Sequence, residues 1–159
     1  MIIRSLVLTY GLIAFFLLNA ISIYLVAFIG NFLVPKTVDS GEPIALIPAL
    51  LINILLIALF GIQHSVMARQ RFKQWWLKIV PAPIERSTYV LLASFILALL
   101  CWQWQPIPIV IWQVDNVIGY WLLYGIFAFG WLFSGYATAL IDQFDLLGIR
   151  QVYLYWRGM

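Results

Sequence analysis

The sequence is poor in charged residues: 9% of its 159 residues are charged, whereas 65% are apolar. Soluble domains carry about 25% charged residues, so this composition excludes an ordinary soluble domain. Histidine and cysteine occur once each, at His64 and Cys101. One cysteine excludes an intrachain disulfide and a CxxC motif, and a lone histidine provides no set of zinc ligands. We therefore expect no metal site, and we expect Cys101 to be a small, buried apolar residue.

Glycine-rich phosphate-binding loops are also lacking. Neither a Walker loop nor a G-x-G-x-x-G string occurs, which argues against the nucleotide-binding folds that depend on them. The net charge is +3, but the basic residues flank apolar stretches and do not form a cluster of their own. We expect no nucleic-acid partner, because membrane topology and anionic headgroups account for cations in such positions.

Long apolar stretches dominate what the sequence does contain. A helix needs roughly 20 apolar residues to cross a bilayer, at a rise of about 1.5 Å per residue. Four stretches have that length, at about 5–34, 43–68, 87–105 and 116–141. The third is uncharged as far as Val114, but Pro106 and Pro108 are expected to end its helix near Gln105. We predict an all-α polytopic membrane protein, with residues 1–159 forming one transmembrane domain in a lipid bilayer.

Basic residues lie almost entirely on one side of the predicted spans. Eight of the nine flank the N-terminus, the second connection or the tail: Arg4, Arg69, Arg71, Lys73, Lys78, Arg86, Arg150 and Arg157. Lys36 alone lies in the first connection, on the opposite side. Because connections on the cytoplasmic side are enriched in Lys and Arg, we predict that both termini are cytoplasmic.

Two amphipathic segments are expected on that same side. In residues 69–80, aromatic and aliphatic side chains recur at helical spacing opposite basic ones, and residues 146–157 contain a similar stripe. Helices of this kind lie in the headgroup plane. The 69–80 segment is interpreted either as a surface anchor or as a lid over a site at the inner interface. Gly148 is predicted to break the helix after the fourth span.

Candidate site residues lie at the same membrane face. His64 ends the second span, and an ionisable residue at membrane depth is a functional candidate, although a snorkelling, hydrogen-bonded histidine is the alternative. Glu85 begins the third span, where it has a structural alternative as a partner of the helix N-terminus. Arg86 binds either a lipid headgroup or the carboxylate of a substrate or cofactor. We take His64, Glu85 and Arg86 as catalytic candidates and expect any site to open inward.

Several strings resemble a known family. They are Gln63–Arg69 (QHSVMAR), Glu85–Leu91 (ERSTYVL), Trp102–Trp104 (WQW) and Phe144–Val152 (FDLLGIRQV). Together they resemble the bacterial methanethiol S-methyltransferases, which group with NnrU-like proteins and, more distantly, with isoprenylcysteine carboxyl methyltransferases. The resemblance covers essentially the whole chain.

The resemblance implies S-adenosylmethionine-dependent methylation of a small thiol, methanethiol, at the bacterial inner (cytoplasmic) membrane. Family members continue beyond the end of this chain with an Arg-His-Pro-x-Tyr signature that helps to form the cofactor pocket, and no Arg-His-Pro occurs here. We therefore expect this chain to correspond to the N-terminal portion of a family member, truncated before the cofactor-binding segment. We expect it to be inactive alone and to be completed by another segment or subunit. Arg150 and Gln151, which match the family strings, are the cofactor-binding candidates.

Two other functions compete with methyl transfer. A four-span bundle also suits a non-catalytic membrane scaffold or partner subunit, and that alternative stays open. A transporter is disfavoured, because the spans contain no chain of charged residues and the halves show no inverted repeat.

Overall fold

A computed structural model describes all residues, Met1–Met159, and every regular element in it is helical. A short 3₁₀ turn, Ala82–Ile84, leads directly into the fourth helix. The seven α-helices are α1 Ile2–Gly30, α2 Leu46–Met67, α3 Gln70–Trp76, α4 Glu85–Gln103, α5 Val117–Leu140, α6 Gln143–Leu146 and α7 Ile149–Arg157. The predicted all-α fold is confirmed.

Four of these helices are long and apolar enough to cross a membrane. They are α1, α2, α4 with its preceding turn, and α5, with 29, 22, 22 and 24 residues. At about 1.5 Å per residue, even 22 residues span the hydrocarbon core of roughly 30 Å. The chain is therefore a membrane protein with four helices capable of spanning a bilayer.

The ends of the first two long helices differ from the predicted spans. The first stretch is apolar as far as Val34, yet α1 ends at Gly30 because Asn31 adopts the left-handed conformation with φ of 59°. Asparagine is one of the few residues that accept this conformation readily, and its N–H still bonds the carbonyl of Ala27. Pro43 lies in extended chain ahead of α2, which begins at Leu46.

Helix α4 lies at the centre and packs against both α1 and α2. Phe28, Leu56, Leu100 and Cys101 form a buried cluster between these three helices. Asn53, 4% exposed, donates to the carbonyl of Gln105 at 2.8 Å and accepts from its N–H at 2.9 Å. This amide pairs backbone groups at the end of α4 that would otherwise cost about 1–3 kcal/mol each when left unpaired.

The two amphipathic segments form shorter helices than their stripes suggest. α3 ends at Trp76, and the chain then makes hydrogen-bonded turns up to Pro81, which cannot continue a helix. In the tail, Gly148 has a φ of 86° and separates α6 from α7. α7 packs against α1, with Val152 fully buried where Gly11 leaves room for it.

Helix α5 is the least packed of the long helices. None of its residues is buried, and its tie to α1 includes a hydrogen bond from the Tyr124 hydroxyl to the carbonyl of Gly30, 3.0 Å long. A Cβ atom placed at Gly125, Gly130 or Gly135 would meet nothing within 4 Å. These three glycines of α5 therefore do not mediate helix packing within this chain.

Candidate functional site

A cavity of about 560 Å³ opens where α2 ends and α4 begins. Most of its fifteen lining residues are apolar and come from α1, α2, α4 and the α6–α7 connection. Its polar and charged lining residues are Ser22, His64, Lys73, Glu85, Arg86 and Tyr89. An apolar pocket with a few convergent polar groups is the usual form of a small-molecule site.

His64 and Tyr89 form a hydrogen-bonded pair across two helices. His64 lies in the last turn of α2 and Tyr89 in the second turn of α4, and the phenol oxygen is 2.8 Å from Nδ1 of the imidazole. The imidazole also stacks on Phe60, one turn earlier in α2, with centroids 5.5 Å apart. Because Nδ1 is engaged by Tyr89, Nε2 is the ring nitrogen left for a ligand.

Glu85 forms an ion pair with Lys73, and both residues line the cavity. The carboxylate of Glu85 lies 3.3 Å from the ammonium group of Lys73, and the residue is only 7% exposed. A buried carboxylate is normally paired or hydrogen-bonded, and the N-terminus of α4 stabilises its charge further. This ion pair joins α3 to α4 beside the cavity.

Arg86 is directed at α6, the short helix that precedes α7. Its guanidinium donates to the backbone carbonyl of Asp145 at 2.8 Å and lies 3.5 Å from the carboxylate of the same residue. The side-chain amide of Gln151 donates to the other carboxylate oxygen of Asp145 at 3.0 Å. Arg86 therefore holds α6 and the start of α7 against α4.

The predicted site residues divide into two groups in the structure. His64, Glu85 and Arg86 are brought together in one cavity lining, whereas Arg150 and Gln151 do not line it. Arg150 is well exposed and lies 3.7 Å from the carboxylate of Asp142. The roles of all five residues remain predictions.

Sequence reasoning missed two residues of the site, Tyr89 and Lys73. Tyr89 follows Glu85 by four positions, so both lie on one face of α4, and this spacing was the available signal. From the sequence, Lys73 contributes only to the predicted orientation in the membrane. The chain nowhere brings together three or more His, Cys, Asp or Glu residues that could hold a metal ion.

Comparison with known proteins gives several relatives that bear one name. The chain is 49% identical to a methanethiol S-methyltransferase of Crocosphaera subtropica, over 96% of this chain and 60% of the relative. It is 47% identical to methanethiol S-methyltransferase 2 of Bradyrhizobium diazoefficiens, over 98% of this chain and 60% of the relative. The chain is also 45% identical to a methanethiol S-methyltransferase of Mycobacterium tuberculosis, over 98% of this chain and 64% of the relative.

No family model matches the chain, and no solved structure matches it either. The relatives are longer proteins, and the chain spans about 60% of the length of the first two. The matched strings nevertheless run along nearly all of this chain, as the resemblance predicted. The chain is therefore a homologue of the methanethiol S-methyltransferases over nearly its whole length, and it corresponds to only part of theirs.

Proposed function

We propose that this chain forms part of a membrane-bound, S-adenosylmethionine-dependent thiol S-methyltransferase and supplies the wall of the site that receives methanethiol. The observation that supports this most is the His64–Tyr89 pair at the polar end of an otherwise apolar cavity. The names of the relatives supply the reaction class.

A small thiol suits this cavity chemically. The methyl group of methanethiol is apolar and matches walls such as Leu18, Val90 and Leu97. Its S–H group needs a proton acceptor, because the thiolate and not the thiol is the nucleophile. His64 is the lining residue with a basic side chain that is not engaged in an ion pair, and it therefore takes that role.

The methyl donor is a poorer fit to the residues of this chain. Both cations that line the cavity are already paired, Lys73 with Glu85 and Arg86 with Asp145, so neither is free for the carboxylate of S-adenosylmethionine. The buried polar atoms that lack a partner belong to residues outside the cavity lining: Gln63, Trp76, Ser87 and Gln151. We therefore assign the donor pocket mainly to a part of the enzyme beyond these residues and expect this chain to be inactive alone.

The exposed surface of α5 suits the docking of that further part. A groove of about 870 Å³ between α1 and α5 is lined in part by Ser22, Ser134 and Gly135. Small and hydroxyl residues are the groups through which membrane helices approach and bond one another. The relatives extend beyond the matched region, so we assign this groove to an additional spanning helix, either a continuation of the chain or a separate subunit. A non-catalytic role as a partner subunit is the second candidate and rests on the same unburied helix.

The distribution of charge supports an orientation. The basic residues of the α2–α4 connection and of the tail lie at the membrane face where the cavity opens. By the positive-inside rule this face is cytoplasmic, with both termini inside and the protein in the bacterial inner membrane. S-adenosylmethionine would then reach the cavity from the cytosol.

The proposal is tested by measuring dimethyl sulfide from membranes given methanethiol and S-adenosylmethionine. We expect none above background from this chain alone, and clear production when it is fused to, or co-expressed with, the part of the Crocosphaera relative that it does not match. That part expressed alone is the control. Product from this chain alone would refute its predicted inactivity, and no product from the completed enzyme would refute methyl transfer.

A matched pair of variants tests where the further helix docks. Gly135→Leu places a large side chain in the groove, whereas Gly130→Leu places it on α5 outside the groove lining, and neither glycine has a neighbour to displace. We expect Gly135→Leu to lower dimethyl sulfide production from co-expressed parts severalfold and Gly130→Leu to leave it unchanged. Equal effects of the two variants would contradict docking in this groove.

A further inference from the structure

The hydroxyl group of Tyr89 lies within hydrogen-bond distance of two groups of His64. Its oxygen lies 2.8 Å from Nδ1 of His64 and 3.4 Å from the backbone carbonyl oxygen of His64. The imidazole lies between Phe60 and Tyr89, with ring centroids 5.5 Å and 5.6 Å away. The ring is thus held in one orientation by stacking and by a hydrogen bond to one nitrogen.

This geometry satisfies two protonation patterns without moving a heavy atom. When Nδ1 is unprotonated, the phenol O–H donates to it, and the ring proton is on Nε2. When Nδ1 carries a proton, it donates to the phenol oxygen, and the phenol O–H can turn to the carbonyl oxygen of His64. In the second pattern Nε2 is free to accept a proton, so the imidazole can be neutral or charged while Nδ1 remains bonded.

We infer that Tyr89 is the positioning residue that makes Nε2 of His64 the proton-accepting atom for a bound thiol. This inference rests on the proposed function. The S–H bond breaks and an Nε2–H bond forms, while sulfur keeps the electron pair as a thiolate. The ring becomes an imidazolium whose Nδ1–H donates to Tyr89, and the proton later leaves Nε2 to water.

No charged side chain near His64 takes the place of Tyr89 as the group that orients the imidazole. From α3 the cavity receives Lys73, and from α4 it receives Glu85 and Arg86, whereas the lining residues of α1 and of the α6–α7 connection carry no charge. Lys73 is bound to Glu85, and Arg86 is bound to Asp145 outside the lining. Tyr89 is consequently the polar side chain that fixes the ring of His64.

Nuclear magnetic resonance of the chain itself tests the pairing without requiring activity. The chain is labelled with ¹⁵N-histidine and placed in nanodiscs of phosphatidylethanolamine and phosphatidylglycerol. Because His64 is the only histidine, every labelled ring signal belongs to it. We expect a hydrogen-bonded Nδ1 in the wild-type chain, and Tyr89→Phe should shift the Nδ1 signal more than the Nε2 signal. A free Nδ1 in the wild-type chain would overturn the inference even if the variant failed to fold.

Tyr10→Phe is the matched control. The Tyr10 hydroxyl donates to Thr88 Oγ1 at 3.0 Å, next to Tyr89 on α4, and forms no hydrogen bond with His64. The loss of this phenol group should leave both ring signals of His64 unchanged. A shift of Nδ1 as large in Tyr10→Phe as in Tyr89→Phe would contradict a specific pairing.

Activity of the completed enzyme tests the role of the pair. Tyr89→Phe should lower kcat roughly tenfold to hundredfold, the range known for hydrogen-bond partners that orient metal-binding histidines, with little change in KM for methanethiol. Tyr10→Phe should leave kcat unchanged. An unchanged kcat in Tyr89→Phe would overturn the positioning role. If the completed wild-type enzyme forms no dimethyl sulfide, the proposed function is refuted. The nuclear magnetic resonance result then decides whether His64 and Tyr89 are paired.

Discussion

Replacing His64 by alanine is expected to lower dimethyl sulfide production by the completed enzyme about a hundredfold or more. A positioned acid–base group contributes roughly 10² to 10⁴ in rate. The charged lining residues do not replace it, because Lys73, Glu85 and Arg86 are held in ion pairs. The measurement is kcat for methanethiol across a range of pH. The loss of the proton acceptor should lower kcat least at high pH, where methanethiol is already a thiolate.

Ser65→Ala is the control for this variant. Ser65 is the exposed neighbour of His64 in α2, and its side chain forms no hydrogen bond, so its loss should change neither activity nor stability. His64 is itself exposed, so His64→Ala should retain the thermal unfolding midpoint of the unmodified protein to within a few degrees. Full activity in His64→Ala would show that the cavity does not deprotonate its substrate through this residue.

Replacing Gly148 by alanine is expected to destabilise the tail by about 2–5 kcal/mol. The left-handed conformation costs roughly 1–2 kcal/mol for a residue with a Cβ atom, and overpacking a close contact adds about 1–3 kcal/mol. The new Cβ atom would lie 2.9 Å from the backbone nitrogen of Ser87 at the start of α4. The chain must shift there, which pulls Asp145 away from Arg86.

Gly158→Ala separates backbone strain from this contact. Gly158 also has a left-handed φ, 83°, but a Cβ atom there would first meet the end of the flexible Arg4 side chain. Limited proteolysis of the tail in nanodiscs should therefore release residues after α5 much faster in Gly148→Ala than in Gly158→Ala. Equal rates in the two variants would contradict the docking of Gly148 onto α4.

The long helices could be predicted because the signal for them is local. An apolar run of 20 or more residues has few alternatives to a helix in lipid, so composition alone identified all four. Their ends depend on single residues, and the left-handed conformation of Asn31 ended α1 inside a stretch that is still apolar.

The site was only partly predictable because its geometry depends on contacts between distant residues. His64 and Glu85 could be chosen from their chemistry and their position at the ends of spans. Tyr89 matters because it contacts His64, which is 25 residues earlier in the chain. No local sequence pattern indicates that these two side chains lie close together. The same holds for Val152, whose burial depends on the absence of a side chain at Gly11 on another helix.

Chemical labelling of single cysteines tests the central claim most directly, namely that these helices span the bilayer and place the His64 cavity on the cytoplasmic face. Cys101 is buried and should remain unlabelled, so Glu42→Cys and Lys78→Cys can be compared in the otherwise unmodified chain. In intact bacterial cells treated to make the outer envelope permeable, a maleimide that cannot cross the inner membrane should label Glu42→Cys. It should label Lys78→Cys only after that membrane is opened. Equal labelling of both positions from one side would contradict the account.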